Sequence, residues 1–285
     1  MENKYYLLSV KELCEEDGEE RLSKAILDSV DKDRREKAAH MRPGAGQAAS
    51  LGAGLLLQLA VQETLQEGTD GKELENRVTE GKRNISEGMG SMGEKNQEIG
   101  TEGNLAVYTV SQVLKLLIKP LDLKFSYGQN GKPYFQDYPF YFNLSHSGEY
   151  VFGAISDREV GVDIQQFRPV DVVRLTRRFF SKEEQKALER CLDQEEQRKL
   201  FYRLWTRKEA YGKLTGGGIV ASMGRSVLPA DELLASNIAL PAQQRADNSM
   251  TEEAGKASLF WLEWALGEYR AALCQYKVQT IFMGR

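Results

Sequence analysis

The stretch LWTRKEAYGKLTGGG, residues 204–218, decides how the rest of the chain is read. As a helix it continues from Phe201 and stacks Trp205, Glu209 and Lys213 four residues apart into one slowly drifting ridge, which Lys208 joins three after Trp205. The aromatic end of such a ridge belongs in the core, so its charged continuation faces the body of the protein or the rim of a cleft. A solvated Glu209–Lys213 pair is the plain alternative, adding about 0.2–0.5 kcal/mol to a helix. Two features weigh against it. Charges that extend a buried face are costly unless paired or bound to an ion. The run also stops in Gly216-Gly217-Gly218, a flexible terminus that lets something approach the backbone closely.

Upstream, the chain from Phe180 to Lys213 reads as helical, with Ser181 as N-cap and Glu184 closing a capping box. Before it, VGVDIQ (160–165) is a strand in which Gly161, Asp163 and Gln165 share the face opposite Val160, Val162 and Ile164. Read alone, Asp163 is as well explained by an aspartate accepting backbone hydrogen bonds at a strand end. Together with Glu209 it gives two carboxylates from distant segments on inward-looking faces, a set that suits Mg²⁺ with its waters and a phosphate. YFNLSHSGEYVFGAIS (141–156) is a hairpin with a longer loop at Ser-His-Ser-Gly-Glu. On residues alone, Lys132 in Gly131-Lys132-Pro133 reads as a solvated lysine, and Ser145-His146 as structural. Arg42, ahead of PGAG and a glycine-containing helix start, could hold a phosphate through backbone N–H groups. No GxxxxGK[ST] loop is present, so ordinary nucleotide triphosphate hydrolysis has no support.

The outer parts complete the pattern. YYLLSV (5–10) is a strand, residues 22–41 are helical with a basic run at Lys32, Arg34, Arg35 and Lys37, RPGAGQAAS (42–50) is a loop, and residues 50–66 are a helix. Residues 68–104 hold few large apolar side chains and are expected to be a flexible insertion. Leu105 to Lys119 is apolar at helical spacing and Pro120 ends it. Residues 224–256 are polar and weakly patterned, and FWLEWAL (260–266) and YRAALCQY (269–276) form a closing hairpin across Gly267-Glu268. The order predicts an α+β fold of two similar halves, 1–158 and 159–285, joined near Val160.

Composition narrows the class. With 41% apolar and 28% charged residues the chain is an ordinary globular protein of one or two domains. Its net charge of −4 argues against a general nucleic-acid binder. Three cysteines far apart in sequence read as reduced cytosolic thiols, and only two histidines leave no basis for histidine-rich zinc sites. The N-terminus is too charged for a signal peptide, and the longest apolar run, LGAGLLLQLAV, is too short to span a bilayer. The expectation is a cytoplasmic monomer with neither a nucleic-acid nor a membrane partner.

Taken in order, GKPYF, FNLSHSG, GVDIQ, RFFSKEE and LWTRKEAYGKLTGGG closely resemble the Sfp-type 4′-phosphopantetheinyl transferases. The GxD strand and the (F/W)xx(K)E(A/S)xxK helix are that family's signatures. The likeness covers roughly residues 122–220, extends loosely to 32–66 and the final hairpin, and leaves out 68–104. It implies a pseudo-dimer of two α+β halves, with coenzyme A and Mg²⁺ in the cleft between them. It implies transfer of phosphopantetheine to a serine of an apo acyl or peptidyl carrier protein, releasing 3′,5′-ADP. By motif, Asp163 and Glu209 would ligate Mg²⁺, Glu209 or a metal-bound water would take the serine proton, and Lys213 would stabilise the leaving group. Lys132, Ser145, His146, Lys208, Lys213 and Arg42 match positions around coenzyme A, with Lys208 holding either the pyrophosphate or the helix. Many members carry a third acid two residues after the strand aspartate; here it is Gln165, which can offer an oxygen to the metal but no charge. Arg178-Phe179-Phe180 matches a segment that covers the cleft and meets the carrier's helix, a core role being equally open. The rival readings are a non-catalytic coenzyme A or carrier-protein binder on the same fold, and a scaffold organised by the insertion.

Overall fold

A computed structural model describes residues 3–14, 24–67, 105–234, 243–246 and 259–277. The chain begins β1 (Lys4–Ser9), α1 (Lys11–Cys14), α2 (Lys24–Asp28), α3 (Lys32–Ala39), α4 (Ala45–Glu67), β2 (Leu105–Thr109) and α5 (Val110–Leu116). Five strands follow: β3 (Phe125–Tyr127), β4 (Pro133–Phe135), β5 (Tyr141–Ser147), β6 (Tyr150–Ser156) and β7 (Val160–Gln166). Then come α6 (Val172–Phe179), α7 (Lys182–Arg190), α8 (Gln194–Thr215), a 3₁₀ turn at Ile219–Ser222 and α9 (Ala230–Leu234). The strands β8 (Gln243–Ala246), β9 (Leu259–Leu266) and β10 (Tyr269–Tyr276) complete an α+β fold. Residues 68–104 lie outside the described residues, as does most of 235–258. No helix among the described residues is long and apolar enough to cross a membrane.

Two compact units divide the chain: Met1–Tyr5 with Lys124–Gly148 and Phe152–Arg285, and Tyr6–Leu123 with Glu149–Val151. In the smaller unit α4 is buried on nearly every side, because LGAGLLLQLAV has no polar face to turn to water. Two of its buried glutamines, Gln58 and Gln62, meet the backbone at and just after the end of α5. Gln58 donates to Leu121 O and accepts from Leu121 N–H at 2.9 and 2.8 Å, and Gln62 bonds Leu116 O and Ile118 N–H at 3.0 and 2.9 Å. Tyr6 and Tyr108 both donate to the Glu63 carboxylate, at 3.0 and 3.1 Å.

Several local expectations are corrected. Leu105–Lys119 is not one helix: LAVYT is a strand, and Thr109 with Gln112 forms a capping box that starts α5 there. Residues 22–41 break where Asp31 caps α3. The 42–50 loop gives way to helix at Ala45. The helix expected from Phe180 to Lys213 is two, parted at Cys191–Asp193, with Asp193 capping α8; the Ser181–Glu184 capping box opens α7 as read.

In the larger unit an antiparallel sheet of order β7-β10-β9-β8 contains the closing hairpin, with Leu266 opposite Tyr269. Helix α8 lays Ala210, Tyr211 and Leu214 in one core cluster with Leu259, Trp261, Ala272 and Cys274 of the sheet. Its other flank packs with α6 and α7, and there Phe179 and Phe180 are buried beside Phe201 and Leu204. Core is therefore what the structure gives for these two phenylalanines. The loop expected between β5 and β6 tightens to Gly148-Glu149, Gly148 taking a φ of 56°, so Ser145, His146 and Ser147 are strand residues.

Candidate active site

The site grows from an edge. β7 pairs on one side with β10, Asp163 opposite Ala272, and in an antiparallel pair every second N–H points away from the partner. Those outward donors are taken by side chains of β5. Val162 N–H donates to Asn143 Oδ1 at 2.8 Å, Ile164 N–H to Ser145 Oγ at 3.3 Å and Gln166 N–H to Ser147 Oγ at 3.0 Å. Each pair is 19 residues apart, so two period-two patterns run side by side in the same direction. Asp163 lies between these attachments and is 2% exposed.

Helix α8 reaches the same strand through a glycine. A Cβ on Gly161 would sit 2.0 Å from Ala210 O and 2.3 Å from Leu214 N, which is why GxD needs its glycine. The close approach brings Lys213 Nζ to 2.7 Å from both Asp163 Oδ1 and Ser145 Oγ. The glycine-rich end of α8 folds onto the helix itself: Gly218 N–H donates to Gly212 O at 3.0 Å, and a Cβ on Gly212 would meet the Gly218 carbonyl at 2.3 Å. What approaches the backbone closely there is the chain's own turn.

Both oxygens of Asp163 are engaged, and Oδ2 keeps one acceptor position. Its Oδ1 accepts from Ser145 Oγ (2.8 Å) and Lys213, and its Oδ2 accepts from Gln165 Nε2 at 3.0 Å. The Glu209 carboxylate, half-buried one turn before Lys213, makes no hydrogen bond among the described residues. Burial, first, and the Asp163 charge push its carboxyl above the usual range, with Lys213 partly offsetting them. No group of three or more histidine, cysteine or carboxylate side chains is gathered among the described residues. Two carboxylates with an amide and a hydroxyl alongside nevertheless fit a hard divalent cation that keeps waters and takes other ligands from a phosphate. The unpartnered, half-buried Glu209 is the observation behind that fit, since a cation would relieve its repulsion with Asp163.

The other expected residues are placed differently. Lys208 is fully buried: its ammonium lies 2.8 Å from Glu184 and donates to Ser222 O and Arg225 O, away from Asp163. Burial lowers its pKa and Glu184 opposes the shift. Lys132 is buried as well, donating to Leu214 O at 2.8 Å and to Glu159 at 3.2 Å, so it caps the end of α8. His146 is exposed, one residue past Ser145. Arg42 is exposed just before α4, in the smaller unit. The reading from residues had Glu184 only in its capping box, and missed its pairing with Lys208 and the roles of Asn143 and Ser147. The alternation Asn143-x-Ser145-x-Ser147 inside an apolar strand was the available signal for the last two.

Comparison with known proteins places this arrangement. Residues 159–274, which carry Asp163, Glu209 and Lys213, match the model of the 4′-phosphopantetheinyl transferase superfamily. This part of the chain resembles that superfamily. It is similar to the 4′-phosphopantetheinyl transferase psf-1 of Bacillus pumilus, with 48% identity over 93 residues, 32% of this chain and 38% of that protein. It is also similar to the transferase HetI of a Nostoc species, 41% identical over 108 residues (36% of this chain, 45% of the relative). The transferase Sfp of Bacillus subtilis is 39% identical over 99 residues (34% and 43%). The chain thus spans less than half the length of each of these three relatives. The matched segment contains β7, α8, β9 and most of β10, but not β5 with Ser145, which lies outside residues 159–274.

Proposed function

We propose that this protein moves the 4′-phosphopantetheine of coenzyme A to a serine hydroxyl of an apo acyl or peptidyl carrier protein, releasing 3′,5′-ADP. The observation that carries the reading is Lys213 held 2.7 Å from Asp163 with Glu209 unpartnered beside them, within a matched transferase-superfamily segment. Asp163 and Glu209 would hold Mg²⁺, which when bound supplies charge neutralisation for the pyrophosphate. The serine oxygen forms a bond to the β-phosphorus as the bond to the bridging oxygen breaks. Glu209, whose carboxyl is held above the usual range by burial and the Asp163 charge, takes the serine proton. Lys213 steadies the negative charge arriving on the departing 3′,5′-ADP. Lys132, His146 and Arg42 belong to the coenzyme A side of this reading. Lys208 serves by holding α8 to the following loop, and Gln165 by orienting Asp163 through its amide. A cytoplasmic monomer of two similar halves belongs to the same reading.

The test is intact mass of a purified apo carrier protein after incubation with this protein, coenzyme A and Mg²⁺. Gain of one phosphopantetheine, abolished by EDTA and by Glu209→Ala, is the expected result. No gain across fatty-acid, polyketide and peptide carriers, with coenzyme A still bound, would overturn it in favour of a non-catalytic binder.

A further inference from the structure

One ridge of α8, formed by Arg203, Arg207, Ala210 and Leu214 at helical spacing, faces the sheet. Its later half is apolar and packs in one core cluster with Trp261 and Cys274. Its earlier half is basic and meets a single carboxylate of the sheet, Glu263 of β9. Glu263 Oε1 accepts from Arg203 Nε at 3.0 Å, and its Oε2 accepts from Arg203 Nη2 at 2.8 Å and from Arg207 Nη1 at 2.9 Å. Arg203 Nη2 also donates to Glu232 of α9 at 2.6 Å. Leu233 docks α9 in the core cluster that holds Leu200 and Leu204 of α8, which keeps Glu232 within reach. Two cations and two anions thus form one buried set without net charge. Glu232 is its most exposed member, with 22% of the side chain open to water. Arg270 of β10, which also feels Glu263, donates to the Tyr269 carbonyl instead.

The two arginines are not equally provided for. Arg203 has two carboxylates, and Arg207 has, among the described residues, only the one it shares. Arg207 is sealed from water over the Trp261 ring, 4.2 Å from its centroid, and its Nε and Nη2 meet no acceptor among the described residues. Burial lowers the pKa of both guanidinium groups. Glu263 and Glu232 together reverse that shift at Arg203, whereas Arg207 stays below its ordinary value. Without Glu232, one buried carboxylate would face two guanidinium charges, and an uncompensated charge inside a protein is costly. We propose that Glu232 is a positioning residue: as the fourth charge it lets α8 keep both arginines against the sheet, and so sets the helix that carries Glu209 and Lys213. The use of that setting rests on the transferase reading; the charge balance does not.

Arg207 makes no ion pair with Glu232, so a simple contact between Glu232 and Arg203 would leave changes at 207 and 232 independent. A shared charge balance couples them. The experiment compares Glu232→Gln, Arg207→Met and the double variant in the full chain. It reads urea unfolding and, at a temperature where every variant is folded, kcat and KM for coenzyme A in the carrier-loading assay. We expect Glu232→Gln to raise the unfolding constant about tenfold, equivalent to ~1.4 kcal/mol. Its kcat should fall about tenfold, as for a small misplacement of reacting groups, with KM within about twofold. In the Arg207→Met background one arginine and one glutamate remain in balance, so the same change should cost less than about threefold in either quantity. Glu195→Gln, which breaks half-exposed pairs with Arg198 and Lys199 on the same helix, should leave kcat unchanged. Equal losses from Glu232→Gln in both backgrounds would overturn the proposal and leave Glu232 an ordinary rim pair. Full kcat in Glu232→Gln would overturn it too. Should Glu232→Gln fail to fold alone, a folded double variant is the expected rescue, and a double variant that also fails to fold counts against the proposal. If the wild-type protein loads no carrier, the transferase reading fails by itself, and the urea cycle still decides whether the two sites share a charge balance.

Discussion

Glu209 holds its charge where water is scarce and a second carboxylate stands close by. The folded protein raises its pKa, while the unfolded chain holds the same carboxyl at its ordinary value. Above the folded pKa the ionised group therefore opposes folding, and that cost is relieved as pH falls through the raised pKa toward the unfolded one. Glu209→Gln should accordingly raise the metal-free melting temperature at neutral pH, with the gain shrinking on acidification through the carboxylate range. A pH series of thermal melts in EDTA checks this; a gain that does not vary with pH would speak against the assignment. Asp163, Glu209 and Lys213 were legible because a charged ridge continuing an aromatic one has few places to go. Lys208 shares that ridge by spacing, yet its carboxylate partner lies 24 residues earlier, a separation that no helical periodicity reveals.

At the scale of elements, the contact between β7 and α8 is set by the absence of a side chain. Gly161→Ala would drive a methyl into helix backbone that cannot yield as a side-chain tip can. The expected loss is at least the ~1–3 kcal/mol of ordinary overpacking, read as a lower urea midpoint with an unchanged m-value. The buried Lys208–Glu184 pair ties α8 to α7, and Glu184 also accepts from Val227 N–H at 2.8 Å. Lys208→Met strands that carboxylate, and we expect a loss of about 3–5 kcal/mol in the same measurement. The strands and the closing hairpin could be read from alternation. The break between α7 and α8 could not, because Glu-, Lys- and Arg-rich residues keep good helix propensity across it and only Asp193, the cap, marks the restart. Leu105–Thr109 went the other way: apolar spacing suited a helix, and the capping box at Thr109 decided where the helix begins.

On the scale of the whole molecule, the acidic site lies wholly within the larger unit, while Tyr6–Leu123 form the bulk of the other. Deletion of residues 70–102, between α4 and β2, should therefore leave carrier loading within about twofold of the intact chain, as for changes with no shared partners. Loss of a binding partner with loading unchanged would give that segment a separate role. The smaller unit was the less legible one. Helix α4 could be read from its apolar run, but the segment from Leu116 to Leu121 is held by the amides of Gln58 and Gln62, which sequence alone gave no reason to aim at it. Finally, β7 ends its sheet, and an end strand with bare N–H groups invites a strand from another molecule. Asn143, Ser145 and Ser147 take the outward N–H groups of Val162, Ile164 and Gln166, so those three places are closed to a foreign strand.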